Sequence, residues 1–300
     1  YSSSVDIKGQ AKVLTLGSTQ YGLYAESGDI TVGGLADVRV ANGSNAVYAE
    51  NGIIKLNGGA SLDVTGDGTG SNYVNGIGAA SNGNVSVSGD KAVIKATANG
   101  SKGNAYAVYT DGGSVSVDVT GNIEFTASAQ NGSASAVNGS NITLKAGGQA
   151  SFDVTGLSAS GLYKDSGQNL TVDAAGGSNY KVTATSGDAY GIAASSTDLA
   201  YGKINNIVVS ATGGNAYGLA AINHGTLSGD GANSIANVSV TENTASKNAY
   251  GVYAYNGSSV TGASIDKLTV DSAGDAYGVN VDRFTATVSS ADLAVGTMSV

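Results

Sequence analysis

The chain has no cysteine, no proline and no tryptophan, and it has one methionine and one histidine. Each absence removes a class of explanation. Without cysteine there are no disulfides and no thiolate metal centres, and a lone His224 cannot supply the usual zinc ligands. The setting of that residue, Asn223-His224-Gly225, is that of a solvated turn. Proline cannot donate to a strand ladder, so its absence suits a stack in which both edges of each strand are paired. No run of roughly 18 apolar residues occurs, so no segment is expected to cross a membrane as a helix. Basic residues are outnumbered 14 to 23 by acidic ones, for a net charge of −9. They are also scattered singly (Lys8, Lys12, Arg39, Lys55), without the cationic stripe that nucleic acid requires. Neither a G-x-S-x-G elbow nor a phosphate-binding Walker loop is present.

What is abundant is glycine, at 46 of 300 positions, about twice the usual ~7 %. It does not fall at every third residue, so collagen is excluded. Disorder fares no better, because 41 % of the chain is hydrophobic and arrives in regular β-branched alternation. One phrase recurs throughout. It reads Gln20-Tyr21-Gly22-Leu23-Tyr24-Ala25 at first and Ala249-Tyr250-Gly251-Val252-Tyr253-Ala254 near the end. Its aliphatic residue falls at 23, 47, 77, 108, 137, 162, 192, 219, 252 and 279, at intervals of 24 to 33 residues. A period of that size marks a solenoid or array.

Each period holds three apolar pulses. In the first, Leu23 is followed by Ile30-Thr31-Val32 and Val38-Arg39-Val40, and in the second Val47 is followed by Ile54-Lys55-Leu56 and Leu62-Asp63-Val64. The pulses alternate apolar with polar, the period of a half-buried strand. Between them stand Asn42-Gly43, Asn82-Gly83, Asp111-Gly112 and Gly213-Gly214, residues that accept positive φ at low cost. The variable interval favours stacking, since a loop of one coil can lengthen without shifting the register of the others. The pattern predicts an all-β chain over residues 1–300: one right-handed parallel β-helix (β-solenoid) domain, roughly ten coils of three short strands, about 50 Å long at ~4.8 Å per coil. The terminal residues look like a window cut from a longer chain.

The short strands, the Gly/Asn/Ser/Thr/Asp richness and the absence of cysteine and proline resemble the passenger β-helix of bacterial autotransporter adhesins, and the related exoproteins of two-partner secretion. The likeness covers the whole chain and rests on composition and repeat. It implies a secreted or cell-surface protein of a Gram-negative-type bacterium.

Strict alternation within the phrase would turn the aliphatic residue inward and both of its neighbours outward. The residue before it is always Gly or Ala, and the one after it is tyrosine in five copies: Tyr24, Tyr48, Tyr109, Tyr163 and Tyr253. Those five are the candidate binding strip, presented to a glycan or a protein partner. The alternative is that their rings cover neighbouring glycines and stack on one another. Tyr21, Tyr106, Tyr190, Tyr217, Tyr250 and Tyr277 stand two residues before the aliphatic and are expected to plug a corner of the core.

Asp37, Asp63, Asp118 and Asp153 recur before valine, three of them as Asp-Val-Thr-Gly. Carboxylates on adjacent coils can perform acid/base work or hold calcium, but repetition argues for a solvated outward column. Gly66-Asp67-Gly68-Thr69-Gly70 and Gly229-Asp230-Gly231-Ala232-Asn233 bear a faint likeness to calcium loops and read as turns. The expectation is a non-enzymatic surface adhesin or passenger segment without metal or cofactor. Its partner would be a host-cell glycan or protein, or other copies of itself. A self-assembling filament or surface layer is the second reading, and a polysaccharide lyase or hydrolase on the same scaffold is the third.

Overall fold

The computed structural model describes residues 4–16, 21–66, 73–100, 103–165, 169–229, 234–282, 286–288 and 293–300. Each pulse becomes a strand, and each strand pairs in parallel with its counterparts one period earlier and one later. Three sheets result. Sheet I has ten strands and carries the recurrent phrase, from Tyr21–Ala25 to Ala276–Asp282. Sheets II and III have eleven strands each; Asp29–Val32 and Ile53–Leu56 belong to sheet II, and Ala36–Ala41 and Ala60–Gly66 to sheet III. The chain winds through about nine turns of a parallel β-helix, with no helix among the described residues.

Parallel stacking puts like on like. In sheet III, Leu62, Ile94, Phe125, Phe152, Tyr180 and Ile207 occupy one inward column, each beside the same position of the next coil. Phe125 meets Phe152 edge-on at 5.7 Å, and Phe152 stacks on Tyr180 at 4.7 Å. A fully buried side chain of this size contributes about 1.5–3 kcal/mol, so the column is the spine of the core. Of the predicted turns, Asn42, Gly112 and Gly213 take positive φ, whereas at Asn82-Gly83 the positive φ falls one residue earlier, on Ser81.

Alternation fails at one position in sheet I. Tyr21 pairs with Asn45 and Leu23 with Val47, but the register passes over Gly22; it likewise passes over Gly191, Gly218 and Gly251. A Cβ on Gly191 would lie 2.5 Å from Ile207 Cγ2, and one on Gly218 would lie 2.8 Å from Val238 Cγ1, both inside the core. Ala46, Ala107 and Ala136 hold the equivalent place in other coils and are fully buried. The residue before the aliphatic therefore faces inward, not outward as alternation predicts. A bend puts two successive side chains into the core and resets the period. In consequence the tyrosines two before the aliphatic, expected inside, lie outside.

Among the described residues two inward positions are charged, Lys164 and Glu242, and the lysine is the one in sheet I. Lys164 follows Leu162 by two residues and sits where the next coil has Ala194. Its side chain is buried, Nζ donates to the Asp198 carbonyl at 2.7 Å, and burial holds its pKa below the usual lysine range.

Candidate binding face

The bend in sheet I brings two tyrosine columns onto one outer face. Of the sixteen tyrosines, Tyr1 lies outside the described residues and Tyr180 and Tyr201 are in the core. All the others stand on the outer face of sheet I, where each contacts another ring. The first column lies two residues before the aliphatic. By register it runs Tyr21, Asn45, Asn75, Tyr106, Ser135, Ser160, Tyr190, Tyr217, Tyr250 and Tyr277. The second lies one residue after it and holds Tyr24, Tyr48, Tyr109, Tyr163 and Tyr253. Gly78, Asn138, Ala193 and Ala220 interrupt this second column.

The five predicted strip residues are thus on one face and in one column, but only Tyr24 and Tyr48 are neighbours within it. Most of their other ring contacts are made with the first column; Tyr109 also stacks on Tyr73 and Tyr253 on Tyr255. Tyr21 stacks on Tyr24 at 4.5 Å and on Tyr48 at 5.3 Å, and Tyr106 stacks on Tyr109 at 5.1 Å. Tyr48 also lies over Gly78, whose Cβ would be 2.6 Å from Tyr48 Cδ2. The glycine-covering arrangement is realised there, although the glycine follows the aliphatic instead of preceding it.

Tyr190, Tyr217, Tyr250 and Tyr277 form an unbroken ladder, with ring centroids 4.7, 5.0 and 5.1 Å apart and interplanar angles of 5°, 7° and 7°. A polar rail holds it. Two residues before each tyrosine stands Asp188, Asn215, Asn248 or Asp275. Asp188 Oδ1 accepts the Asn215 amide N–H at 2.7 Å, Asn215 Oδ1 accepts that of Asn248 at 3.0 Å, and Asn248 Oδ1 accepts that of Asp275 at 3.3 Å. The same side chains fix the rings: Asn215 Nδ2 donates to Tyr217 Oη at 3.2 Å, Asn248 Nδ2 to Tyr250 Oη at 3.0 Å, and Tyr190 Oη donates to Asp188 Oδ2 at 3.3 Å. Sequence reasoning missed this rail. Its signal was Asn/Asp-Ala-Tyr-Gly, read from the tyrosine onward.

No known protein family, curated protein or solved structure matches this chain.

Where the first column lacks tyrosine, the face is hollow. One cleft of about 310 Å³ is floored by Asn45 and Asn75 and walled by Tyr21, Tyr48, Tyr73 and Tyr109, with Asp111 at its rim. Asn75 Nδ2 donates to Asn45 Oδ1 at 2.8 Å, but Asn75 Oδ1, on a side chain only 5 % exposed, has no partner. An unmet buried acceptor costs about 1–3 kcal/mol. A second cleft, of about 300 Å³, is floored by Ser135 and Ser160 between Tyr106 on one side and Tyr163 and Tyr190 on the other. Ser160 Oγ donates to Ser135 Oγ at 2.8 Å, and Ser135 Oγ donates to the Val137 carbonyl at 3.0 Å. Burial pushes the Tyr106 phenol up to about 12 and raises those of Tyr163 and Tyr190, so all three stay neutral donors at physiological pH.

The aspartates do not come together. Asp63 and Asp153 share a column of sheet III but are separated by Lys95 and Thr126. Arg39 precedes Asp63 in that column, and Lys181 follows Asp153 with an N–O separation of 3.3 Å. Asp37 pairs with Lys12 and Ser61 in another column, and Asp118 is in sheet II between Ser88 and Lys145. Among the described residues no three His, Asp or Glu side chains are grouped to hold a metal. His224 is exposed in a turn, with φ 66°. Asp67–Gly70 and Asp230–Asn233, the two calcium-like turns beyond their leading glycines, lie outside the described residues.

Proposed function

We propose that this chain is a non-enzymatic segment of a bacterial surface passenger, a stiff β-helical stalk that displays the tyrosine face of sheet I to a host-cell glycan or protein. The observation that carries the reading is the segregation of tyrosine. Apart from Tyr180 and Tyr201, every described tyrosine lies on one outer face of a three-sided rod. A folding requirement alone would be met by the inward columns, which are aliphatic with few aromatics. Tyrosine combines large contact area with a polar tip and a low entropy cost, which suits recognition. That none of Asp37, Asp63, Asp118 and Asp153 stands beside another supports the non-catalytic part of the reading, and the resemblance to autotransporter passengers supports the extracellular part.

The test is binding of the purified chain to epithelial cell monolayers and to immobilised glycans. Replacing Tyr24, Tyr48 and Tyr109 together by Ala should lower binding at least tenfold, while the matching Phe variant keeps most of it. Unchanged binding by a folded triple-Ala variant would sink the proposal. Self-assembly is the second reading, since the outermost coil of a parallel stack presents unpaired strand edges to further strands. Electron microscopy separates the two: single rods of about 50 Å favour display, and long fibres favour assembly.

A further inference from the structure

We infer that the two gaps in the tyrosine ladder are saccharide subsites, each seating an uncharged pyranose ring of one glycan that runs along the helix axis. The inference rests on reading sheet I as a display face and goes on to name the ligand class and the seats.

Three observations converge. The first is the gap itself. Tyr21 and Tyr106, and again Tyr106 and Tyr190, stand three coils apart with no aromatic residue at that column position in the two coils between. Three coils span roughly 14 Å at ~4.8 Å per strand. Tyr48, 5.3 Å from Tyr21, and Tyr73, 5.8 Å from Tyr106, narrow the first gap, and clefts of about 310 and 300 Å³ remain between aromatic walls. Elsewhere on the face the chain fills that room with its own rings, as in the run from Tyr190 to Tyr277.

The second is the floor. A pyranose offers apolar C–H faces to aromatic walls and hydroxyls at its edge. Asn75 Oδ1 is a buried acceptor without a donor, on the floor of the first cleft. In the second, the Ser160 hydroxyl gives its proton to Ser135, so its lone pairs are left to accept. Both floors therefore ask for a hydroxyl donor. An aromatic side chain of a protein partner would stack on the same walls but leave Asn75 unmet.

The third is charge. The linings include Asp111 and Asp188 and contain no lysine or arginine, which opposes a uronate, sulfate or sialic acid. The equal three-coil spacing of the gaps lets one linear chain engage both seats, and linkage raises avidity without any new contact.

The experiment uses the full chain against immobilised neutral linear hexasaccharides of gluco, galacto and manno configuration, beside sialylated and uronate-bearing oligosaccharides. Neutral chains should bind at least tenfold more tightly than acidic ones. Ser135→Tyr and Asn45→Tyr each fill a gap with the residue its own column carries in other coils, and each should weaken neutral binding at least tenfold. Ser160→Ala removes one acceptor at little cost in volume and should act in the same direction with a retained melting temperature. Asn75→Ala should weaken binding likewise, in a chain that stays folded with a slightly lower melting temperature because Asn45 Oδ1 loses its donor. Preference for acidic chains, absence of neutral binding, or full binding by the folded filled variants would overturn the inference. If cell binding persists and falls in the Tyr24/Tyr48/Tyr109 triple-Ala variant but is indifferent to the filled gaps, the saccharide seats fail while the display face stands. If the wild-type chain binds neither cells nor glycans, both fail.

Discussion

The outer face of sheet I holds two versions of the same column. From Tyr190 to Tyr277 it is a continuous ladder of near-parallel rings, each tied to its own Asn or Asp. From Tyr21 to Ser160 it is interrupted, and polar pairs occupy the breaks. The register is the same in both halves, each pairing passing over the residue before the aliphatic, so the pairing of the backbone does not impose the difference. A column that can be filled with tyrosine, and is filled in one half, has no structural need for Asn45-Asn75 or Ser135-Ser160 in the other. The unbroken half shows what the fold requires of this position, and the broken half shows what departs from it.

The largest perturbation should come from the floor of the ladder. Valine at Gly218 would push a side chain against Val238, Val240 and the Gly251 carbonyl, where even a Cβ meets the carbonyl oxygen at 2.5 Å. Gly218→Val should cost about 3 kcal/mol in chemical denaturation, through overpacking of a filled core. A loss below half of that would mean the bend can flatten, and the two halves would then differ in their backbone as well as in their side chains.

Alkaline pH comes next. Burial keeps the Tyr106 phenol neutral up to about 12, against 10.0 for an ordinary tyrosine. The folded pKa is raised, so the stabilisation is complete below pH 10 and is lost as pH climbs through about 12, because the unfolded chain releases that proton first. Two units correspond to roughly 2–3 kcal/mol from this residue, and the raised phenols of Tyr190 and Tyr217 act in the same direction. Urea midpoints between pH 8 and 12 should fall steeply in the wild type and less steeply in Tyr106→Phe. Identical slopes would remove Tyr106 from the account.

The smallest effect concerns the rail. Asn215→Ala leaves the Asn248 amide and the Tyr217 hydroxyl without a partner and should cost about 1–2 kcal/mol. Paired with Tyr217→Phe in a double-mutant cycle, the two losses should be less than additive, because they share one hydrogen bond. Additive losses would separate the rail from the ladder.

The fold was legible because each coil repeats the same pulses. Ile30-Thr31-Val32, Val38-Arg39-Val40 and their successors alternate as half-buried strands, and the register pairs them with their own repeats. The face of the phrase was misread for a physical reason. Alternation was carried straight through Tyr21-Gly22-Leu23, whereas the strand bends there and turns both Gly22 and Leu23 inward. The invariably small residue before the aliphatic was the available clue, since only glycine or alanine fits where two successive side chains enter a packed core. For the five strip tyrosines, alternation from the inward aliphatic and the observed bend give the same outer face, because the bend lies on the other side of the aliphatic. Their companions Tyr21, Tyr106 and Tyr190, and the clefts between them, became visible only once the bend was known.

Near-identical coils create a problem of translational degeneracy: a chain that slips by one full period still buries aliphatic residues against aliphatic residues. Lys164 breaks that symmetry. It is the one buried lysine among the described residues, and its neighbour in the adjacent coil is Ala194. Its ammonium finds an acceptor in the Asp198 carbonyl of the native arrangement, and any frame that moves one past the other strands a charge in an apolar interior. A residue that adds little to the depth of the native well thereby raises the floor of its neighbours, and gives a repetitive rod a fixed mark from which its coils are counted.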